Sequence, residues 1–214
     1  MEILYPYAKR IIDIILSIIL LILFSPIIFF TALLIKIDSP GPVFADTPKR
    51  VGKNGKLFHM YKFRSMVKNA HEALIKDPNF QKLYNEYKKS GYKLREDPRI
   101  TKAGRFLRKH SFDEIPQFIN VLRGDMSIVG PRAYYPDELE DQQKKYPYTK
   151  EAVKIVLSVK PGITGVWQVS GRSEINFDKR IQLDSKYASK KSILYDFIII
   201  IKTPAAMIFG KGAM

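Results

Sequence analysis

Residues 11–37 read IIDIILSIILLILFSPIIFFTALLIKI, and what this run becomes decides the fold. About 20 apolar residues span a bilayer, so a single transmembrane helix is the simplest reading. Ser25-Pro26 stands in the middle of the run. Proline lacks the N–H that would bond Ile22, and its ring crowds the turn before it, so the helix kinks or breaks. Ser25 can offer its hydroxyl to a carbonyl freed there. Each half, Ile11 to Phe24 and Pro26 to Ile37, is then about 20 Å long at about 1.5 Å per residue. Charge points the same way. Lys9 and Arg10 precede the run, and Lys36, Lys49, Arg50, Lys53 and Lys56 follow it. Basic flanks favour the cytoplasmic side. A spanning helix would place one flank outside, whereas a hairpin that enters and leaves by one face exports neither. The run therefore predicts a re-entrant helix–break–helix anchor over residues 1–38, broken at Ser25 and Pro26, with residues 39–214 at the cytoplasmic face. It is too long for the apolar region of a signal peptide, and no small-residue cleavage site follows. Arg10 and Asp13, three apart, are placed to pair near the interface.

Outside this run, charge and missing residue types narrow the function. The 214 residues carry a formal net charge of +15 and no cysteine. So large an excess repels itself and calls for an anionic partner: nucleic acid, a membrane face or phosphorylated substrates. Thiolate chemistry, disulfides and cysteine zinc sites are excluded. His59, His71 and His110 show no metal-ligand spacing, and no internal repeat is visible.

The remainder reads as mostly helical with little strand. Ser39-Pro40-Gly41-Pro42 marks the exit from the anchor. A strand-like piece, Lys56 to Phe63, follows a Gly-Lys-Asn-Gly turn. Helix is expected over Lys68 to Lys89 and over Lys102 to Lys109. Another is built on Ile115, Phe118, Ile119 and Leu122, whose spacing makes one apolar stripe, and it stops at Gly124. More helix is expected from Asp137 to about Val156 and from Asn176 towards Ser189. Lys160 to Gly165 reads as a turn-rich loop. Residues 193–209 are apolar but hold Asp196, Lys202 and Pro204. That suits helices lying in the membrane interface, with a buried core helix as the alternative.

The chemistry concentrates in Arg105-Phe106-Leu107-Arg108-Lys109-His110-Ser111-Phe112-Asp113-Glu114-Ile115-Pro116-Gln117, where paired carboxylates follow clustered cations. One reading is structural: acidic residues complement a helix dipole, and Ser111 with Glu114 spells a capping box. Pro116 weakens it, because a helix capped at Ser111 would need the Pro116 N–H. A helix starting at Asp113 puts Pro116 in the tolerated first turn and Asp113 at a helix mouth, where backbone donors can hold phosphate. There a carboxylate can act as nucleophile or magnesium ligand, since magnesium takes one or two carboxylates plus substrate phosphates. Lys62, Arg64, Arg99 and Arg132 lie in turn-like segments, and arginine's fork matches phosphate.

At these residues the chain resembles the single-domain monotopic phosphoglycosyl transferases, the bacterial sugar transferases. The resemblance runs in order through Lys9-Arg10 with Asp13, Phe24-Ser25-Pro26, Tyr61-Lys62-Phe63-Arg64-Ser65-Met66, Asp97-Pro98-Arg99-Ile100-Thr101 and Ser111 to Gln117. It continues through Asn120 to Arg132 and Lys160 to Arg172. It implies a re-entrant anchor beneath a helical catalytic domain at the bacterial inner membrane. It also implies transfer of a sugar 1-phosphate from a UDP-sugar to polyprenyl (undecaprenyl) phosphate, releasing UMP, as the first membrane step of capsule, exopolysaccharide or glycoprotein glycan assembly. Asp113 would be the nucleophile of a phosphosugar-aspartyl intermediate, and Glu114 would hold Mg2+ with it or assist proton transfer. Lys62, Arg64, Arg99, Arg108, Arg132 and Arg172 would bind substrate. Where the family commonly has Pro-Arg-Pro, this chain has Pro131-Arg132-Ala133, which would loosen the placement of Arg132. Larger relatives carry extra membrane spans ahead of this unit.

Two other readings compete. A basic surface or nucleic-acid-binding module suits the charge, but no recognition module accompanies the aromatics, and nucleic acid is not the expected partner. A polytopic one-step transferase needs many spans. A homodimer is compatible with the apolar and C-terminal helices, and the sugar is not legible.

Overall fold

The computed structural model describes residues 4–92, 94, 96–171 and 175–209. It begins with α1 (Tyr5–Leu23) and α2 (Ser25–Asp38), which meet at Phe24 with a bend of 60°. Pro26 falls in the first turn of α2, where its missing N–H costs nothing. Among the described residues no single helix is long and apolar enough to cross a membrane, whereas this bent pair passes that test of length and composition together.

The packing of the pair is inverted relative to a helix in water. The buried residues of α1 are Asp13 and Ser17, while Ile11, Ile15, Ile19 and Ile22 are exposed. In α2, Thr31 and Ile35 are buried and Phe29, Phe30, Leu33 and Ile37 are exposed. Polar residues inside and a contiguous apolar surface outside mark a face that meets an apolar phase or a partner.

The expected Arg10–Asp13 pair is replaced by longer-range contacts. Asp13 accepts from the Ser127 hydroxyl at 2.8 Å and the Ile128 N–H at 3.0 Å. Arg10 donates to the Val121 and Leu122 carbonyls at 2.5 and 2.8 Å. Those carbonyls lie at the end of a helix, where Val121 otherwise accepts only from the Gly124 N–H at 3.0 Å, so the guanidinium caps that helix and docks the bent pair to it.

β1 (Arg50–Val51) and β2 (Leu57–Phe58) form an antiparallel ribbon around a turn with Asn54 and Gly55 at positive φ. The single helix expected from Lys68 to Lys89 is two, α3 (Ala70–Lys76) and α4 (Gln81–Lys89). Pro98 aside, the prolines explain such breaks: Pro78 cannot continue α3 and instead opens a short 3-10 turn capped by Asp77. Then come α5 (Lys102–Lys109), capped by the Thr101 hydroxyl, and α6 (Gln117–Arg123), ended by Gly124 at φ 86°. The expected helix from Asp137 to Val156 is again two, α7 (Pro136–Lys145) and α8 (Lys150–Leu157), parted at Pro147.

The loop expected at Lys160 to Gly165 is in part a strand. β3 (Ser127–Val129) pairs in parallel with β4 (Gly162–Thr164). A Cβ on Gly162 would lie 2.0 Å from the Gly130 nitrogen, so these glycines serve backbone contact rather than turning. α9 (Val166–Val169) and α10 (Phe177–Lys190) follow, and α11 (Ile193–Phe209) closes the chain with Pro204 inside it. α11 falls between its two expected fates. Ile199 is buried, while Leu194, Phe197 and Ile201 are exposed. The main core joins Phe63, Leu107, Val121, Met126, Val129 and Tyr187 with Leu16 and Leu20 of α1, so the bent pair and the rest of the chain share one core.

Candidate active site

Residues 112–114 form a 3-10 turn of their own, and α6 begins only at Gln117, with Pro116 just before it. Asp113 is therefore not at an α-helix mouth, and the amides of Glu114 and Ile115 are already bonded to the Ser111 and Phe112 carbonyls. The capping box also fails. Ser111 sits at φ 56° and makes no side-chain cap, and Glu114 turns to Lys62 instead. The two carboxylates are thus released from helix duty.

The segment Tyr61–Met66 lies against this turn, fastened by the Phe63 N–H donating to the Asp113 carbonyl at 2.9 Å. That register brings the Lys62 ammonium to 2.6 Å from Glu114 Oε1 and 3.7 Å from Asp113 Oδ2. Arg108 completes the group by donating from Nε to the Ser65 hydroxyl at 2.9 Å. Burial is the largest influence on Asp113 and raises its pKa. Lys62 and Arg108 oppose this and the Glu114 charge adds to it, leaving the carboxyl above the usual aspartate value. Glu114 is desolvated too, but the charge and hydrogen bond of Lys62, with Arg132 and Arg50 farther off, hold it below the usual value.

Asp113, Lys62 and Arg108 line a cavity of about 470 Å³ with Arg64, Arg99 and, farther along, Arg50, His71 and Tyr135. Its size suits a ligand larger than a single phosphate. Arg64 and Arg99, expected as phosphate contacts, line it but spend their guanidiniums elsewhere. Arg64 donates to the Pro40, Ser39 and Ile35 carbonyls at 2.6, 2.7 and 3.4 Å, clamping the end of α2 to the cavity wall. Arg99 is held by Asp97 and by the Ala70 carbonyl. Arg172 lies outside the described residues.

Arg132 and Glu114 do not line the cavity, yet Arg132 is within electrostatic reach of Glu114. The loop lacking the second proline is pinned by other means. The Arg132 N–H donates to Asp184 Oδ2 at 3.1 Å, its Nε lies 3.8 Å from Glu138, and its guanidinium stands over Trp167 at 5.3 Å. Ala133 itself is buried, its carbonyl bonded by Arg50 at 3.1 Å. This supporting group of Glu138, Arg180, Asp184, Tyr134 and Trp167 escaped sequence reading, as did Arg50 and Ser65. The one available signal was Arg180 and Asp184, charges four apart on the apolar stripe of Phe177, Ile181 and Ala188.

The side chains that would hold a divalent cation are Asp113 and Glu114. Both are hard oxygen donors on one turn, and among the described residues no third acidic or histidine side chain completes a metal cage. Two carboxylates alone fit a cation that fills its shell with water and substrate phosphates, which is magnesium's habit.

Comparison with known proteins fixes the family. Residues 4–210 match the model of the bacterial sugar transferases. The chain belongs to that family. Relatives include the undecaprenyl-phosphate galactose phosphotransferase of Salmonella typhimurium, 42% identical over 97% of this chain and 42% of its own length. The UDP-glucose:undecaprenyl-phosphate glucose-1-phosphate transferase of Escherichia coli K12 is 39% identical over 96% of this chain and 41% of its own length. The exopolysaccharide production protein ExoY of Rhizobium meliloti is 37% identical over 96% of this chain and 88% of its own length. This chain therefore spans under half of the first two and most of the third. The first two names specify different sugars, so family membership leaves the sugar open.

Proposed function

We propose that this chain transfers a sugar 1-phosphate from a UDP-sugar to a polyprenyl phosphate, with Asp113 as nucleophile. The observation that carries the reading is Asp113 in the wall of a nucleotide-sized cavity, sharing Lys62 with Glu114, in a member of the sugar transferase family. An Asp113 carboxylate oxygen attacks the β-phosphorus. The bond from that phosphorus to the bridging oxygen breaks, and UMP leaves with the electron pair. A phosphate oxygen of the acceptor lipid then attacks the same phosphorus and returns the aspartate as carboxylate. Covalent catalysis of this kind splits one difficult transfer into two easier ones.

Lys62 and Arg108 supply fixed positive charge beside the transferring phosphoryl group, and Glu114, kept ionised by Lys62, holds that ammonium in place. Magnesium, held by Asp113 and Glu114, would supply further charge neutralisation on the diphosphate. The relatives' names, which include galactose and glucose phosphotransferases acting on undecaprenyl phosphate, support the donor and acceptor classes.

The inverted packing of α1 and α2 supports the re-entrant anchor, with α11 resting its exposed Leu194, Phe197 and Ile201 in the interface of a bacterial inner membrane. The anchor holds the aspartate at the depth of the lipid phosphate.

Two measurements test this. UMP release from a panel of UDP-sugars, with polyprenyl phosphate and magnesium in detergent, should occur with at least one sugar. It should stop with chelator and fall by about three orders of magnitude or more in Asp113→Asn. Activity retained in Asp113→Asn would remove the nucleophile. For topology, cysteines placed near Tyr7 and at Lys191 should both resist an impermeant thiol reagent in intact cells, and labelling of one alone would show a full span.

A further inference from the structure

A second cationic recess lies at the opposite end of α6 from the dyad. It has a volume of about 190 Å³ and is lined by Lys9, Arg10, Lys53, Lys160 and Lys191, with Asp13 as its one carboxylate. That carboxylate is already bonded to Ser127 and Ile128. Lys9 is paired with Asp196 at 2.7 Å, and Arg10 is spent on the carbonyls ending α6. Lys53 and Lys160 form no ion pair among the described residues. Lys160 and Arg10 crowd together: a Cβ on Gly124 would lie 3.4 Å from Lys160 Nζ and 3.7 Å from Arg10 Nη2. Burial, with Arg10 adding repulsion, pushes the Lys160 pKa below the usual lysine value. Five cations around a single carboxylate that is already bonded leave an excess of positive charge, which favours a bound anion.

A second cavity says what kind. A small, mostly apolar crevice of about 60 Å³ shares Lys9, Asp13 and Val129 with the recess and runs on between α1 and α11, past Ile12, Ile193, Phe197 and Ile200, with Asp196, already paired with Lys9, in its wall. The exposed apolar surface of the hairpin begins at this level with Tyr7, Ile11 and Ile12. We infer that the recess is a lipid-phosphate site separate from the catalytic cavity, its phosphate bound by Lys53, Lys160 and Lys191 and its first chain carbons lying in the crevice between α1 and α11. The inference rests on the reading of the hairpin as membrane-embedded, because that sets the recess at headgroup depth. The site would fix the base of the anchor to the headgroup layer while the dyad works at the other end of α6.

The test uses the full chain in neutral detergent, where insertion into a bilayer is not required. Thermal unfolding is followed while titrating dihexanoyl phosphatidic acid, dihexanoylglycerol or inorganic phosphate. Phosphatidic acid should raise the unfolding midpoint saturably, and the diacylglycerol, which lacks only the phosphate, should not. Lys53→Gln/Lys160→Gln should weaken the apparent affinity about tenfold or more, since charge-assisted contacts are lost. Lys160→Arg should retain it, and UMP release in detergent should be unchanged in all three proteins. Wild-type affinity in the double variant would overturn the site. An equal shift by inorganic phosphate at the same concentration would assign the recess to a soluble anion and overturn the lipid reading. Should the hairpin instead prove to span the membrane, the cysteine labelling would show it while this titration still reports on the recess.

Discussion

Asp113 and Asp184 are both buried, at 6% and 0% exposure, and burial raises the pKa of both. Their surroundings differ in kind. Asp113 faces a cavity, with Lys62 and Arg108, held by Glu114 and Ser65, beside it and its carboxylate open to a ligand. Asp184 is sealed between α10 and the Arg132 loop, where Oδ2 accepts one backbone N–H and Oδ1 has no hydrogen-bond partner among the described residues. Burial alone does not mark a catalytic acid. What separates the two is whether the carboxylate remains available: Asp113 lines a cavity that can admit a ligand, whereas Asp184 is engaged in placing a loop.

The largest expected effect breaks the comparison on the side of chemistry. Asp113→Asn, already predicted to remove UMP release, should leave the unfolding midpoint unchanged or higher, because it deletes a charge whose desolvation, with the repulsion of Glu114, outweighs what Lys62 and Arg108 return. An unfolded Asp113→Asn would place Asp113 among the structural acids with Asp184.

Next in size is Arg180→Met, aimed at the sealed side. Arg180 is 5% exposed, with Nη1 3.7 Å from Glu138 and its guanidinium over Trp167 and Tyr134. Its removal leaves Glu138, itself 1% exposed, with Arg132 at 3.8 Å as its remaining cation. Breaking a buried pair from one side costs about 3 kcal/mol or more. Denaturant unfolding in detergent measures it, and a loss below about 0.5 kcal/mol would place the group among ordinary surface charges.

The contrast also explains what was legible in the sequence. Local rules did well. The break at Ser25-Pro26 and the Gly124 stop follow from chemistry within a few residues, and so do α5, α6 and α10. Pro78 and Pro147 carry the same signal, and each parts a helix expected to be continuous. What failed needed a distant partner. Arg64 reads as a phosphate ligand because nothing nearby shows that carbonyls at and just past the end of α2, 24 to 29 residues back, claim it. Asp13 reads as the partner of Arg10 because Ser127 lies 114 residues away. The parallel pair β3–β4 was hidden because glycines needed for backbone contact look the same as glycines needed for a turn. At the site, the dyad and Lys62 were legible as residue types, but the capping box was equally legible, and only the left-handed Ser111 decides between them.

The smallest effect separates the two aspartates by pH. The Asp184 carboxyl is raised to about 7 from an ordinary value of 3.8, chiefly by burial, with the Arg132 N–H, Arg180 and Arg132 opposing. Between those values the folded chain holds a proton that the unfolded chain has lost. Its contribution to stability is therefore largest below pH 4, falls as the pH rises towards 7, and is flat above. At about 1.4 kcal/mol per pH unit the loss amounts to a few kcal/mol at most. Asp184→Asn keeps an oxygen for the Arg132 N–H and has nothing to ionise. It should match the wild type near pH 4 and exceed its stability near pH 8, with UMP release at neutral pH changed by no more than a few-fold. A stability difference that stayed constant from pH 4 to pH 8 would mean that Asp184 is ionised throughout and balanced by Arg180. The sealed acid would then be a salt-bridge partner, and its likeness to Asp113 would end at their shared burial.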